Sequence, residues 1–173
     1  MNITLIGMSG AGKSTIGKQL AKKLGYKFID IDDLIRAKIG TGLQTFIDTY
    51  GDDEFIGLEE QIVIGLHSMD DHIIATGGSI VYSETAIRHL KDISTIVYLD
   101  VPFIRIAQRI SPSQRGLVGF KDKGLRDLYN DRKKLYEHYM DIRIKIKKGE
   151  TKRDIVERII ALCPDDVSTS RSV

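Results

Sequence analysis

The stretch Gly7-Met8-Ser9-Gly10-Ala11-Gly12-Lys13-Ser14-Thr15 has the spacing G-x-x-x-x-G-K-[ST], and it constrains the fold more than any other feature of the chain. An apolar run, Ile3-Thr4-Leu5-Ile6, precedes it, and Ile16, Leu20 and Leu24 follow at i, i+4 and i+8 before Gly25. The run reads as a buried strand and the periodic residues as one face of a helix. A tight turn between them, free of side chains at Gly7, Gly10 and Gly12, lets backbone close around a polyphosphate. Its N–H groups and the helix N-terminus supply positive potential. Lys13 can reach the β- and γ-phosphates, and the Ser14 hydroxyl suits Mg²⁺. Nucleotide contacts are therefore expected from Gly10, Ala11, Gly12, Lys13, Ser14 and Thr15. With glycine near 7% of residues, such a match arises by chance on the order of 1% of the time, and the strand–loop–helix context lowers that further.

The remaining sequence alternates strand-like and helix-like segments. Strands are expected at 26–31, 72–76, 95–99 and 142–146, the last with one wet face. Residues 32–69 read as several helices broken at Gly40, Gly42 and Gly51. Leu43, Phe46, Ile47 and Tyr50 share one face there, and Phe55, Leu58 and Ile62 another. Helices follow over 84–91, from Pro102 through Arg109, and over about 125–139. Thr151 with Asp154 three residues on predicts a capping box for a last helix that turns Ile155, Ile159 and Leu162 inward. Residues 111–124 lose periodicity and read as a mobile loop, and the tail from Pro164 as frayed. Strands alternating with helices predict one α/β domain over 1–163, a parallel sheet covered on both faces.

Charge and composition exclude other classes. Lys+Arg 26 against Asp+Glu 24 gives +2, too even for a nucleic-acid footprint. The basic positions Lys145, Lys147, Lys148, Lys152 and Arg153 read as a solvated strand edge and helix start. No apolar run is long enough to span a bilayer, and no basic n-region precedes the first one. One cysteine, Cys163, makes no internal disulfide, so a reducing cytoplasmic setting is expected, with Cys163 as a packed thiol. His67, His72, His89 and His138 lack metal-ligand spacing and read as structural or solvated. The guanine-reading N-K-x-D is absent. Asp100 after Ile96-Val97-Tyr98-Leu99 superficially fits a Walker B run, but Val101-Pro102 follows at once, and it reads as a helix cap.

With the phosphate loop placed, the other landmarks follow the order of the shikimate kinases, which the chain resembles over nearly its whole length. Asp30-Ile31-Asp32 resembles that family's D-x-D, and Gly77-Gly78-Ser79 its triple glycine. Arg115-Gly116-Leu117-Val118 resembles its lid motif, and Arg132-Lys133-Lys134-Leu135-Tyr136 its R-x-x-x-Y. Only the phosphate loop is specific by itself; five motifs in one order are. The resemblance implies a three-layer P-loop kinase fold with a five-stranded parallel sheet in order 2-3-1-4-5, a lid over about 111–124, and acceptor-binding helices over about 32–69. It implies transfer of the γ-phosphoryl of ATP to shikimate, with Mg²⁺, in aromatic amino-acid synthesis, by a cytoplasmic monomer that binds neither nucleic acid nor membrane. Lys13, Asp32 and Arg115 are then the catalytic candidates, Ser14 and Asp30 the metal candidates. Asp32, Gly77, Gly78 and Arg132 are the acceptor contacts, and Arg109 packs on adenine. Period-two alternation puts Asp30 and Asp32 on one side of a strand end.

The acceptor site departs from the family pattern. Ile56 stands where an arginine that grips the substrate carboxylate is usual, and Arg36 where a glutamate is usual. Ser79 replaces the third glycine and Gly116 the lid proline. Either Arg36 restores the missing charge, or the site serves another small alcohol such as a sugar acid or amino-acid alcohol. A nucleotide-binding regulator without turnover is the reading of a different class.

Overall fold

The structure, a computed structural model, describes residues 1–110 and 117–163. Five strands, β1 (Ile3–Ile6), β2 (Lys27–Asp30), β3 (His72–Ala75), β4 (Thr95–Asp100) and β5 (Ile142–Lys145), form one sheet in the order β2-β3-β1-β4-β5. Every neighbouring pair is parallel. The class and strand order expected above are the ones observed.

Among the described residues nine further elements surround them: α1 (Lys13–Leu24), α2 (Ile31–Ile39), α3 (Leu43–Tyr50), α4 (Asp52–Ile64), a 3₁₀ turn (Ile80–Tyr82), α5 (Glu84–Ile93), α6 (Phe103–Arg109), α7 (Phe120–Tyr139) and α8 (Lys152–Leu162). β1 is wholly buried because it is central and covered on both faces, so it reads as a continuous apolar run. At the edge, β5 alternates, with Ile144 buried between exposed Arg143 and Lys145. α1 and α8 pack together beside the sheet, and α5 and α7 pack against β4. Register matters most for function. Leu5 and Asp30 both pair with Ala75, so the chain leaves β1, β2 and β3 at one level and its next residues converge there. At the opposite end, buried Asn2 donates to Met69 O and Ile93 O and accepts from His72 N–H, tying three segments together.

Local signals explain several boundaries. Thr151 and Asp154 form the expected reciprocal capping box, and Ser83 caps α5 through Ala86 N–H. Four expectations need correction. β2 ends at Asp30, not Ile31, because Asp30 becomes the N-cap of α2. α7 begins at Phe120, inside the stretch read as loop, with a non-helical Gly124 (φ 72°, ψ 166°) breaking its first turns. Leu162 is 50% exposed, and Val156 takes its place with Ile155 and Ile159 in the core. Asp100 caps no helix: it is buried and accepts from Arg143 Nε and Nη2 at 3.0 and 2.6 Å, an ion pair joining β4 to β5. The expected lid residues 111–116 and the tail 164–173 lie outside the described residues.

Candidate active site

The loop between β1 and α1 requires its glycines for two different reasons. Gly7, Gly10 and Gly12 have φ of 142°, 81° and 96°, where side chains are strained. At Gly7 a Cβ would also sit 2.9 Å from the Leu99 carbonyl oxygen, so this glycine serves packing against β4 rather than ligand access. Ala11 N–H closes the loop onto Met8 O at 3.0 Å. Lys13 is buried and donates to Gly7 O and Met8 O at 2.6 and 3.0 Å. Burial pulls its ammonium down to about 8, against the opposing charge of Asp32.

Opposite the loop, the ends of β2 and β3 bring a second group together. Asp30 accepts the Asp32 N–H at 3.1 Å, an ordinary cap, and Asp32 stands on the first turn of α2. Strand alternation therefore does not set their relation; the helix start does. Burial raises the Asp32 carboxyl and the Lys13 charge holds it down. Gly77 and Gly78 are both buried. A Cβ on Gly77 would lie 2.3 Å from Glu59 Oε1 and 3.1 Å from Asp32 Oδ1. One on Gly78 would lie 2.8 Å from Arg132 Nη1 and 3.1 Å from Ser9 N. These positions are glycine because Glu59, Asp32, Arg132 and Ser9 crowd against backbone there. Arg132, 1% exposed, is fixed by donating from Nε to Tyr82 Oη at 3.3 Å and from Nη2 to Val118 O at 2.8 Å. Tyr136 Oη donates to Gly78 O at 2.6 Å, and its burial drives the phenol pKa far upward.

A cleft of about 1180 Å³ runs along the loop and is lined by Gly10, Ala11, Gly12, Lys13, Ser14 and Thr15, together with Asp32, Arg36 and Arg109. Arg109 donates to Gly10 O at 3.1 Å, which ties α6 to the phosphate loop. Lys152 also lines the cleft. Arg36 is half-exposed and paired with Asp33 at 2.7 Å. Asp30, Gly77, Gly78 and Arg132 adjoin this cleft without lining it. Ile56 is partly buried against the core. Arg115 lies outside the described residues. The histidines keep away: His72 and His89 meet main-chain oxygens, and His67 packs edge-on against His89.

Glu59 is the residue that sequence reasoning missed. It sits on the inward face of α4 between Phe55 and Val63, 1% exposed. An acid interrupting an i, i+4, i+8 apolar face was the available signal. Ser79 Oγ donates to its Oε2 at 2.7 Å, while Oε1 is the one buried side-chain oxygen or nitrogen among the described residues with no hydrogen-bond partner. Burial pushes the carboxyl up to about 7, with Ser79 pulling it back and Asp32 pushing further.

The family model described as "Shikimate kinase" matches residues 9–164. A curated shikimate kinase of Nostoc punctiforme is 36% identical over 168 residues, covering 95% of this chain and 92% of that one. One from Persephonella marina is 32% identical over 160 residues, covering 92% and 96%. Among solved structures, the shikimate kinase of Acinetobacter baumannii in complex with shikimate superposes with a TM-score of 0.84 at 32% identity, over 93% of this chain and 91% of that one. That of Aquifex aeolicus gives 0.79 at 28%, over 93% and 95%.

Proposed function

The chain belongs to the shikimate kinase family, and on that premise we infer that it transfers the γ-phosphoryl of ATP to a hydroxyl of shikimate, giving shikimate 3-phosphate. The observation that carries this reading is one cleft lined both by the phosphate loop, with its buried Lys13, and by Asp32, beside which Gly77, Gly78 and Arg132 pack. In such a transfer the protein does little covalent chemistry; it positions the reactants and stabilises charge. Loop N–H groups and Lys13 receive the β- and γ-phosphates. Asp32 orients the acceptor hydroxyl and can take its proton, since its carboxyl is held above the usual range. Gly77 and Gly78 let the acceptor approach the backbone, and Arg132 offers Nη1 to its carboxylate.

The donors fit Mg²⁺. The Ser14 hydroxyl lines the cleft beside Lys13, a hard oxygen donor that suits an ion which keeps its waters and leans on phosphates. Ser14 and, through water, Asp30 would hold it, and it would supply neutralisation of phosphate charge. Arg109 lies beside the loop for adenine, and Arg115 is assigned to closure over the γ-phosphate. We read residues 1–163 as one kinase domain acting as a cytoplasmic monomer; no helix among the described residues is long and apolar enough to cross a membrane.

Because Ile56 brings no charge, Arg36 is assigned the second cation for the carboxylate, which its place in the same cleft as Asp32 supports. ADP release from ATP and Mg²⁺ should depend on shikimate. In Arg36→Ala the KM for shikimate should rise about tenfold or more, the worth of a charged hydrogen bond, with KM for ATP unchanged. Stimulation by another polyhydroxy acid and none by shikimate would show a repurposed acceptor site. An unchanged shikimate KM would remove Arg36 from it.

The lowered Lys13 pKa has a measurable consequence. Polyphosphate restores the proton to Lys13, so nucleotide binding should take up protons where the free amine is deprotonated, and should weaken as pH rises past about 8. Calorimetry at pH about 8.5 in two buffers of different ionisation enthalpy should show uptake of roughly half a proton or more. Zero uptake would mean Lys13 does not meet the phosphates.

A further inference from the structure

Gly119 opens α7 at φ 76° with no side chain of its own to cap the helix. Its N–H is taken instead by a residue 67 positions away: Asp52, the first residue of α4, accepts it through Oδ2 at 2.7 Å. That is the short distance of a hydrogen bond to an ionised carboxylate. The other bonds of this turn are longer. Phe120 N–H closes it onto Leu117 O at 3.2 Å, and Leu117 N–H reaches Gln44 Oε1 at 3.4 Å. Leu117 and Val118 are buried, so the turn is packed as well as bonded. What it presents is the Val118 carbonyl, which accepts from Arg132 Nη2 at 2.8 Å. The other bond of this guanidinium among the described residues, Nε to Tyr82 Oη, is longer at 3.3 Å, and Tyr82 is partly exposed. Val118 O is therefore the firm anchor of the fork. Nη1 makes no hydrogen bond among the described residues and lies beside Gly78.

We propose that Asp52 is a positioning residue for the transfer: by holding Gly119 it holds Val118 O, and through that oxygen it aims the Nη1 edge of Arg132. The proposal rests on the reading above, in which Arg132 meets the acceptor carboxylate. A guanidinium is a rigid planar fork, so its donors serve a carboxylate only in a narrow range of orientations. Misplacement of about 1 Å at a reacting site can cost 10²-fold. Asp52 does not line the cleft, so its effect on the acceptor passes through Arg132. Sequence spacing gives no sign of this, because Asp52 reads as one of three acids in the first turn of α4. Only the packing of α4 against the start of α7 separates it from Asp53 and Glu54.

The test is steady-state kinetics of the whole chain with ATP and shikimate, for Asp52→Ala, Asp52→Asn, Arg132→Lys and the double variant Asp52→Ala with Arg132→Lys. Asp52→Ala should raise shikimate KM about tenfold, the worth of a charged hydrogen bond, and leave KM for ATP within about twofold. Asn keeps an acceptor oxygen in the same place and should bring shikimate KM back to within about threefold of wild type. Lysine at 132 has no planar fork to aim, so in that background Asp52→Ala should change shikimate KM by less than about twofold. A merely structural role would lower kcat by the unfolded fraction and leave both KM values alone. Should Asp52→Ala not fold, Asp52→Ser, too short to reach Gly119 N–H, takes its place in both backgrounds. An unchanged shikimate KM, an Asn variant no better than Ala, or a larger penalty in the lysine background overturns the proposal and leaves the kinase reading intact. Wild-type protein without shikimate-dependent turnover overturns both.

Discussion

Lys13→Met should lower kcat with ATP and shikimate by about 10³-fold while the protein stays folded. Removing one preorganised donor from a charge-developing transition state costs about 10²–10³ in rate, and phosphoryl transfer depends more than most reactions on such groups. A loss of 10³ corresponds to about 4 kcal/mol of transition-state stabilisation. Lys13 is well placed for an effect of this size: it is buried, and Gly7 O and Met8 O hold its ammonium at the mouth of the loop. The fold should survive because this ammonium is a liability in the free protein. Its pKa falls from 10.5 unfolded to about 8 folded. The unfolded chain therefore binds more protons between those values, and stability from this group grows as pH rises through that window. At pH 7 the full cost is present. Methionine removes it and fills similar volume, which offsets the two lost hydrogen bonds. The checks are a coupled ADP assay and melting at pH 7. A kcat within tenfold of wild type would take Lys13 out of the transition state.

Gly78→Ala should cut kcat/KM for shikimate by about 10²-fold, a larger effect than its single methyl suggests. The new Cβ would sit 2.8 Å from Arg132 Nη1 and 3.0 and 3.1 Å from Ser9 Oγ and N. None of these can yield cheaply. Ser9 N is backbone of the phosphate loop, and Arg132 is pinned by Tyr82 and Val118. Nor can the peptide retreat, because Tyr136 Oη holds Gly78 O at 2.6 Å. Strain is therefore shared between the phosphate side and the acceptor side, and misplacement of about 1 Å at a reacting site can cost 10²-fold. Overpacking of this kind also destabilises by about 1–3 kcal/mol. Gly57→Ala is the control: nothing lies within 4 Å of its Cβ on α4, and activity should be unchanged. Equal kcat/KM in Gly78→Ala and wild type would mean that the acceptor does not meet this turn.

Local order in this protein is legible because it is written in short patterns. A buried strand, glycine turn and amphipathic helix over residues 3–24 follow from spacing alone, as do the Thr151–Asp154 cap and the α/β alternation. The strand order followed from resemblance, since periodicity says where strands are and not which are neighbours. What sequence reasoning misread were residues whose partners are far away in the chain. Asp100 looks like a cap until Arg143, 43 positions on, arrives across the sheet edge. Leu162 looks internal by its spacing, but it is 50% exposed while its neighbour Cys163 is buried instead. Glu59 looks like one more helix charge until folding buries it against Ser79, 20 residues later. By itself the sequence determined the elements, their caps and the phosphate loop, because hydrogen bonding and apolar periodicity act over a few residues. Only the tertiary structure decided which carboxylates face a common space and which are left unpartnered, because burial and electrostatic environment are properties of the packed sheet and helices together.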